Sequence, residues 1–140
     1  MKNISFSIII ICGIAIFNST EINASPGVYE SLNRGIYVIS GTDCGNPPNA
    51  DIKEYNGKGI STAHTSKCVA KVISKSKSAR GTVFEISQTC NDSGDGSGTT
   101  FTEKDKILVK DPNHFQYVSD NTIYTYCPKN KLPKDLQTNY

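Results

Sequence analysis

Four cysteines, Cys44, Cys68, Cys90 and Cys127, follow a stretch that reads as an export signal, and no other feature limits the fold as strongly. Lys2 precedes an apolar run from Ile4 to Phe17, then come polar Asn18-Ser19-Thr20-Glu21 and Ile22-Asn23-Ala24. A charged start, a short apolar run and a small exit residue are the layout of a cleavable secretory signal over residues 1–24. The run is shorter than the roughly 20 apolar residues that span a bilayer, and Ser5, Ser7 and Gly13 interrupt it, so an uncleaved anchor is the weaker reading. Cys12 leaves with the signal. The remaining even number of cysteines, in a chain bound for the periplasm or secretion with no transmembrane segment left, reads as two disulfides.

Those bonds matter because the core is thin. Of the 116 residues from 25 to 140, read as a single small domain, only 22 are Val, Ile, Leu or Phe, and there is no Trp. That is close to the limit below which a chain fails to bury enough apolar surface. Each disulfide would add about 2–4 kcal/mol, mostly by restricting the unfolded chain, which is comparable to the stability of a whole small domain. The cysteine intervals of 24, 22 and 37 residues contain no C-x-x-C pair, so neither a zinc knuckle nor a thioredoxin-like site is expected. His64, four residues before Cys68, and the isolated His114 do not complete a metal set, and no cofactor is expected. Three connectivities are open; the expectation is sequential pairing, Cys44 with Cys68 and Cys90 with Cys127.

Strand patterns dominate the rest. Six segments qualify: Gly35 to Ser40, Lys67 to Ser74, Thr82 to Cys90, Ile107 to Lys110, His114 to Val118 and Thr122 to Cys127. In the third, Phe84, Ile86, Gln88 and Cys90 alternate with Val83, Glu85, Ser87 and Thr89, the period of a half-buried strand. Turn chemistry separates them at Asn46-Pro47-Pro48-Asn49, Asn56-Gly57-Lys58-Gly59, Ser78-Ala79-Arg80-Gly81, Asp111-Pro112-Asn113 and Ser119-Asp120-Asn121. The expected fold is all-β, a small antiparallel sheet forming a barrel or sandwich, with a short helix near Tyr29 to Asn33 or after Ala50. The tail from Cys127 onward reads as irregular and exposed.

Candidate chemistry is sparse. Asn91 to Gly98 is oxygen-rich and has Gly96 where a calcium loop needs it, but its twelfth position is Thr102 and Glu103 falls one residue late, so it reads as a polar hairpin loop. Glu85, Arg80 and His114 could supply a base, an anion-binding group and an acid for phosphodiester or ester hydrolysis if strands brought them together. No acidic residue stands between Glu54 and Glu85, where Lys58, Lys67, Lys71, Lys75, Lys77 and Arg80 all fall, whereas six acids face three lysines from Asp92 to Asp120. This segregation predicts a basic edge and an acidic face, able to orient an encounter with a charged partner. Read without a partner, the basic segment is an edge strand guarded by lysines. Lys75, Lys77 and Arg80 are the candidate binding cations. Tyr124 and Tyr126, on one face of the last strand, are candidate binding aromatics or core residues. The net charge of +2 argues against a dedicated nucleic-acid binder.

An exported, disulfide-bonded β-domain of this size without a catalytic signature resembles small bacterial periplasmic inhibitors of cell-wall hydrolases and periplasmic immunity proteins. The Ser78-Ala79-Arg80-Gly81 turn resembles the serine-containing loop that periplasmic inhibitors specific for C-type lysozymes insert into their target. The chain departs from that class in being slightly basic, where an inhibitor of a cationic lysozyme would be acidic. The leading expectation is therefore a periplasmic or secreted, monomeric, non-enzymatic binding protein of inhibitor or immunity type, acting on another protein or an envelope component. The alternatives are a small secreted hydrolase or ribonuclease-like toxin using Glu85, Arg80 and His114, and a self-associating surface component.

Overall fold

The computed structural model describes residues 26–137. The expected signal, residues 1–24 with Cys12, lies outside the described residues. Eight strands follow one another: β1 (Gly35–Ile39), β2 (Ile52–Tyr55), β3 (Ile60–Thr62), β4 (Thr65–Ser78), β5 (Gly81–Asp92), β6 (Thr100–Asp111), β7 (His114–Tyr117) and β8 (Ile123–Tyr126). All pairings are antiparallel, in the order β3-β2-β1-β8-β7-β6-β5-β4. Every strand lies beside its chain neighbour, β8 returns to pair with β1, and β3 meets β4 through Ala63-His64. The sheet thus rolls into a nearly closed up-and-down barrel, which removes most of the edge an open sheet would expose.

All six expected strands are present, and the barrel is the form the sheet takes. β2 and β3, four and three residues long, were not anticipated. The alternation in β5 is the reason the sheet can roll up: Phe84, Ile86, Gln88 and Cys90 are buried inside, while Val83, Glu85, Ser87 and Thr89 stay partly exposed. An eight-stranded barrel has an interior that side chains alone can fill. Here rings fill it, since Leu is scarce and Trp absent. Phe115 stacks on Tyr124 with centroids 5.0 Å apart, Tyr37 meets Phe115 edge-on at 5.2 Å, and Tyr29 lies 5.3 Å from Tyr55 and 5.4 Å from Phe84. Each ring buries more area than an aliphatic side chain and costs few rotamers.

One end of the barrel is plugged by the segment 26–34. The Val28 N–H donates to Gly57 O (2.8 Å), the Tyr29 N–H to Tyr55 Oη (3.0 Å) and the Asn33 N–H to Pro112 O (2.9 Å). Tyr29 and Leu32 enter the core. The helix expected over Tyr29–Asn33 is therefore a turn, because the rim of the barrel takes the donors that a helix would use internally. A 3₁₀ turn does form at Asn49–Asp51. The tail also departs from expectation. Leu132 is only 5% exposed and packs with Ile36, Val38 and Cys127 on the outer face of β1, with Leu136 against them.

The disulfides are Cys44–Cys127 and Cys68–Cys90, which overturns the sequential pairing. Cys68 and Cys90 lie on paired strands, next to the Val69–Thr89 register pair. Cys127 follows β8, its N–H bonded to Ile36 O, and the loop leaving β1 folds back to bring Cys44 over the same face. Barrel closure joins the first and last strands, and the cysteine pairing follows that closure rather than chain order.

Candidate functional site at the open end of the barrel

The end opposite the plug is polar because of the upper half of β6. Glu103 is in register with Gln88 and Asp105 with Ile86, and both partners are buried inside the barrel. Residues directly opposite on paired strands share a face, so both carboxylates point inward while Thr102, Lys104 and Lys106 point out. Lys53, in register with inward Tyr37, projects from β2. With Thr62, Tyr117, Tyr124, Ser119 and Asp120 these side chains line an open cavity of about 230 Å³. Three strands separate β2 from β6 in either direction around the ring, so Lys53 faces Glu103 and Asp105 from the opposite wall.

Within this set Lys53 and Asp120 attract one another, each favouring the other's charged form. Lys75 meets Glu30 and His114 meets Asp111 at close range elsewhere. Burial raises the carboxyl pKa of Asp105, opposed by a hydrogen bond from the Lys106 N–H (2.7 Å), while the Asp120 charge adds to the rise. Burial likewise lowers the Lys53 ammonium, against the pull of Asp120 and Asp51. Its Nζ lies 5.3 Å from the centre of the Tyr124 ring, a cation–π contact. Burial, then the charge of Asp105, hold the Tyr117 phenol far above its ordinary value. Asp120 is the exception, its carboxyl lowered by the hydrogen bond from the Thr122 N–H (2.8 Å). No set of three or more His, Cys, Asp or Glu among the described residues could hold a metal ion.

One fully buried group stands out in the barrel interior. Tyr29 is 0% exposed, and its hydroxyl is the buried side-chain polar atom among the described residues that lacks a hydrogen-bond partner. The ring enters from the plugged end, and its hydroxyl comes within electrostatic reach of Tyr117 and Asp105.

The residues singled out from the sequence lie elsewhere. Lys75 pairs with Glu30 at 2.6 Å and lies 5.8 Å from the Phe84 ring centre, so its charge is engaged within the protein. Lys77 and Arg80 are exposed near the plugged end, Arg80 in the β4–β5 turn, where its N–H donates to Ser78 Oγ (3.2 Å). β3 ends at Thr62 and forms no ladder with β4, so the lower half of β4 keeps a free edge that Lys75 and Lys77 guard. Glu85 lies on the outer surface in register with Lys106 and accepts a hydrogen bond from Ser74 Oγ (3.0 Å). His114 holds Asp111 through Nδ1 at 2.8 and 2.9 Å. Arg80 and His114 share the plugged end, but Glu85 stands about 13 Å farther along β5 at ~3.3 Å per residue, so the three do not assemble. Tyr124 is 5% exposed and belongs to the core, and Tyr126 lies half-buried against Tyr37, so the pair is inward-facing rather than a surface patch. The Asn91–Gly98 segment comprises the last two residues of β5 and most of the β5–β6 hairpin loop, with the Asp92 and Asp95 carboxylates accepting from the Gly94 and Ser97 N–H groups.

The charge segregation along the chain becomes only a partial bias between the barrel ends. Lys75, Lys77, Arg80 and Lys110 lie toward the plugged end together with Glu30 and Asp111, and Asp92, Asp95, Glu103, Asp105 and Asp120 toward the open one together with Lys53 and Lys104. Glu103 and Asp105 escaped the sequence reading because β6 appears to begin at Ile107 if only apolar periodicity is followed. The usable signal was the alternation of charge sign in Glu103-Lys104-Asp105-Lys106. No protein-family model, curated protein or solved structure matches the chain.

Proposed function

We propose that this is an exported, non-enzymatic binding protein that recognises another protein through the open, acidic end of its barrel. It would work in the periplasm or after secretion, as an inhibitor or immunity-type protein. The observation that carries this reading is the cavity at the open end, where Glu103, Asp105 and Asp120 stand against the single ammonium group of Lys53 on a nearly closed, disulfide-braced scaffold. An excess of one sign of charge in a fixed cavity suits a partner that supplies the other sign. The two disulfides fit folding in an oxidising compartment. Among the described residues no helix is long and apolar enough to cross a membrane.

The test measures binding of the oxidised protein to immobilised basic and acidic envelope proteins, alongside turnover assays on murein, RNA and ester substrates. Saturable binding to basic proteins that weakens with salt, and no turnover, is the expected result. Turnover abolished by Glu85→Ala or His114→Ala would overturn it in favour of a hydrolase.

A further inference from the structure

We propose that the open end of the barrel is a receptor for one basic side chain, an arginine or lysine presented on the surface of a partner protein. This deepens the binding reading above and rests on it. Three carboxylates, Glu103, Asp105 and Asp120, share the cavity with a single ammonium group, that of Lys53, so the lining favours a cation. Lys53 keeps to the β2 wall over Tyr124, which leaves the β6 wall, with Glu103 and Asp105, for an incoming guanidinium or ammonium group. A guanidinium there can take two parallel hydrogen bonds to a carboxylate. The Tyr117 ring offers an aromatic surface beside it.

A second observation points the same way. The Tyr29 hydroxyl, fully buried and without a partner, lies within electrostatic reach of Asp105 and Tyr117, two residues that line the cavity. A buried hydroxyl left unbonded costs free energy; because Tyr29 does not line the cavity, a water carried in by the incoming donor would satisfy it. The cavity's size then selects the source of the cation. About 230 Å³ is less than the volume that encloses a typical small-molecule ligand, and Phe115 and Tyr124 fill the barrel behind it. One long side chain fits that space, and the rest of its binding energy must come from contacts around the rim, which a protein surface provides and a free amine does not.

The test is a titration of the isotope-labelled, oxidised protein with an end-capped peptide carrying one arginine, and with the same peptide carrying neutral citrulline instead. The amides of Glu103, Asp105, Tyr117 and Asp120 should shift in a saturable way with arginine. Citrulline should bind about tenfold more weakly or worse, the loss expected when a charge-assisted hydrogen bond becomes neutral. Asp105→Asn should remove the response while the rest of the spectrum reports an intact fold, and Lys53→Met should preserve or strengthen it. Equal response to both peptides, shifts confined to the Lys75 to Arg80 end, or an Asp105→Asn protein that binds like the parent would overturn the proposal. The partner assay separates the two readings. A basic partner held equally well by the Asp105→Asn protein removes the receptor but keeps the binding function, whereas a saturating arginine response with no protein partner bound removes the protein source.

Discussion

Cys44 and Cys127, bonded across 83 residues, fasten the loop that leaves β1 to the residue that follows β8. β1 and β8 are the strands whose pairing joins the two ends of the chain into one barrel. The Cys68–Cys90 bond spans only 22 residues and staples β4 to β5, already joined by a hairpin. The loop-entropy relation gives a loss of about 4.5 kcal/mol for the first bond and about 3.4 kcal/mol for the second. Denaturant melts of Cys44→Ser/Cys127→Ser and Cys68→Ser/Cys90→Ser proteins should therefore rank in that order. The first variant should also expose the Leu132 segment to proteolysis, since that segment packs beside Cys127.

The same closure explains what could and could not be read from the sequence. β5 is legible because Phe84, Ile86 and Cys90 alternate with polar neighbours over a long run. β2 is not, since Ile52-Lys53-Glu54-Tyr55 holds two charges in four residues, and strand alternation puts the charged Lys53 on the inward face with Tyr55. β3 is three residues long and exists because its neighbours hold it. Disulfide connectivity depends on which strands meet after the sheet rolls up, a non-local fact that cysteine spacing does not encode. Arg80, Glu85 and His114 were plausible from residue type alone, and strand register keeps Glu85 apart from the other two.

Gly81 tests the hairpin that carries Arg80. Its φ is +133°, a region that side chains strain to adopt, and a Cβ there would strike the carbonyl of Val109 on β6. Gly81→Ala should cost roughly 1–3 kcal/mol, read as a lowered denaturation midpoint. Ala79→Gly, two residues away in the turn, should cost far less.

Asp105 gives a pH signature of a functional group held at the expense of stability. Its carboxyl pKa is raised above the ordinary 3.8, chiefly by burial, so the folded state holds this proton more tightly than the unfolded state does. Its contribution is most favourable below the ordinary value, declines as pH rises through the raised one, and stays constant beyond. Asp105→Asn removes that decline. The variant should be more stable than the parent at pH 7, with the advantage shrinking below the ordinary aspartate pKa. Asp120 has a lowered carboxyl pKa, so Asp120→Asn should behave in the opposite sense, losing stability at pH 7 and converging with the parent in acid. Urea melts of the three proteins at pH 3 and pH 7 decide both signs.

Tyr29 separates packing from polar satisfaction at a single position. Its ring touches Tyr55 and Phe84 at the plugged end, and Tyr29→Ala should lose about 3–5 kcal/mol as a large-to-small core change. Tyr29→Phe keeps the ring and deletes only the hydroxyl, which has no hydrogen-bond partner. Removing an unsatisfied buried group should be neutral or stabilising by up to about 1 kcal/mol in the free protein. With the arginine peptide bound, the hydroxyl gains a partner and the sign reverses. Tyr29→Phe should then bind the peptide more weakly than the parent while melting at the same or a higher denaturant concentration without it. A variant weaker in both respects would mean that the hydroxyl already has a structural partner, such as a trapped water, before any ligand arrives.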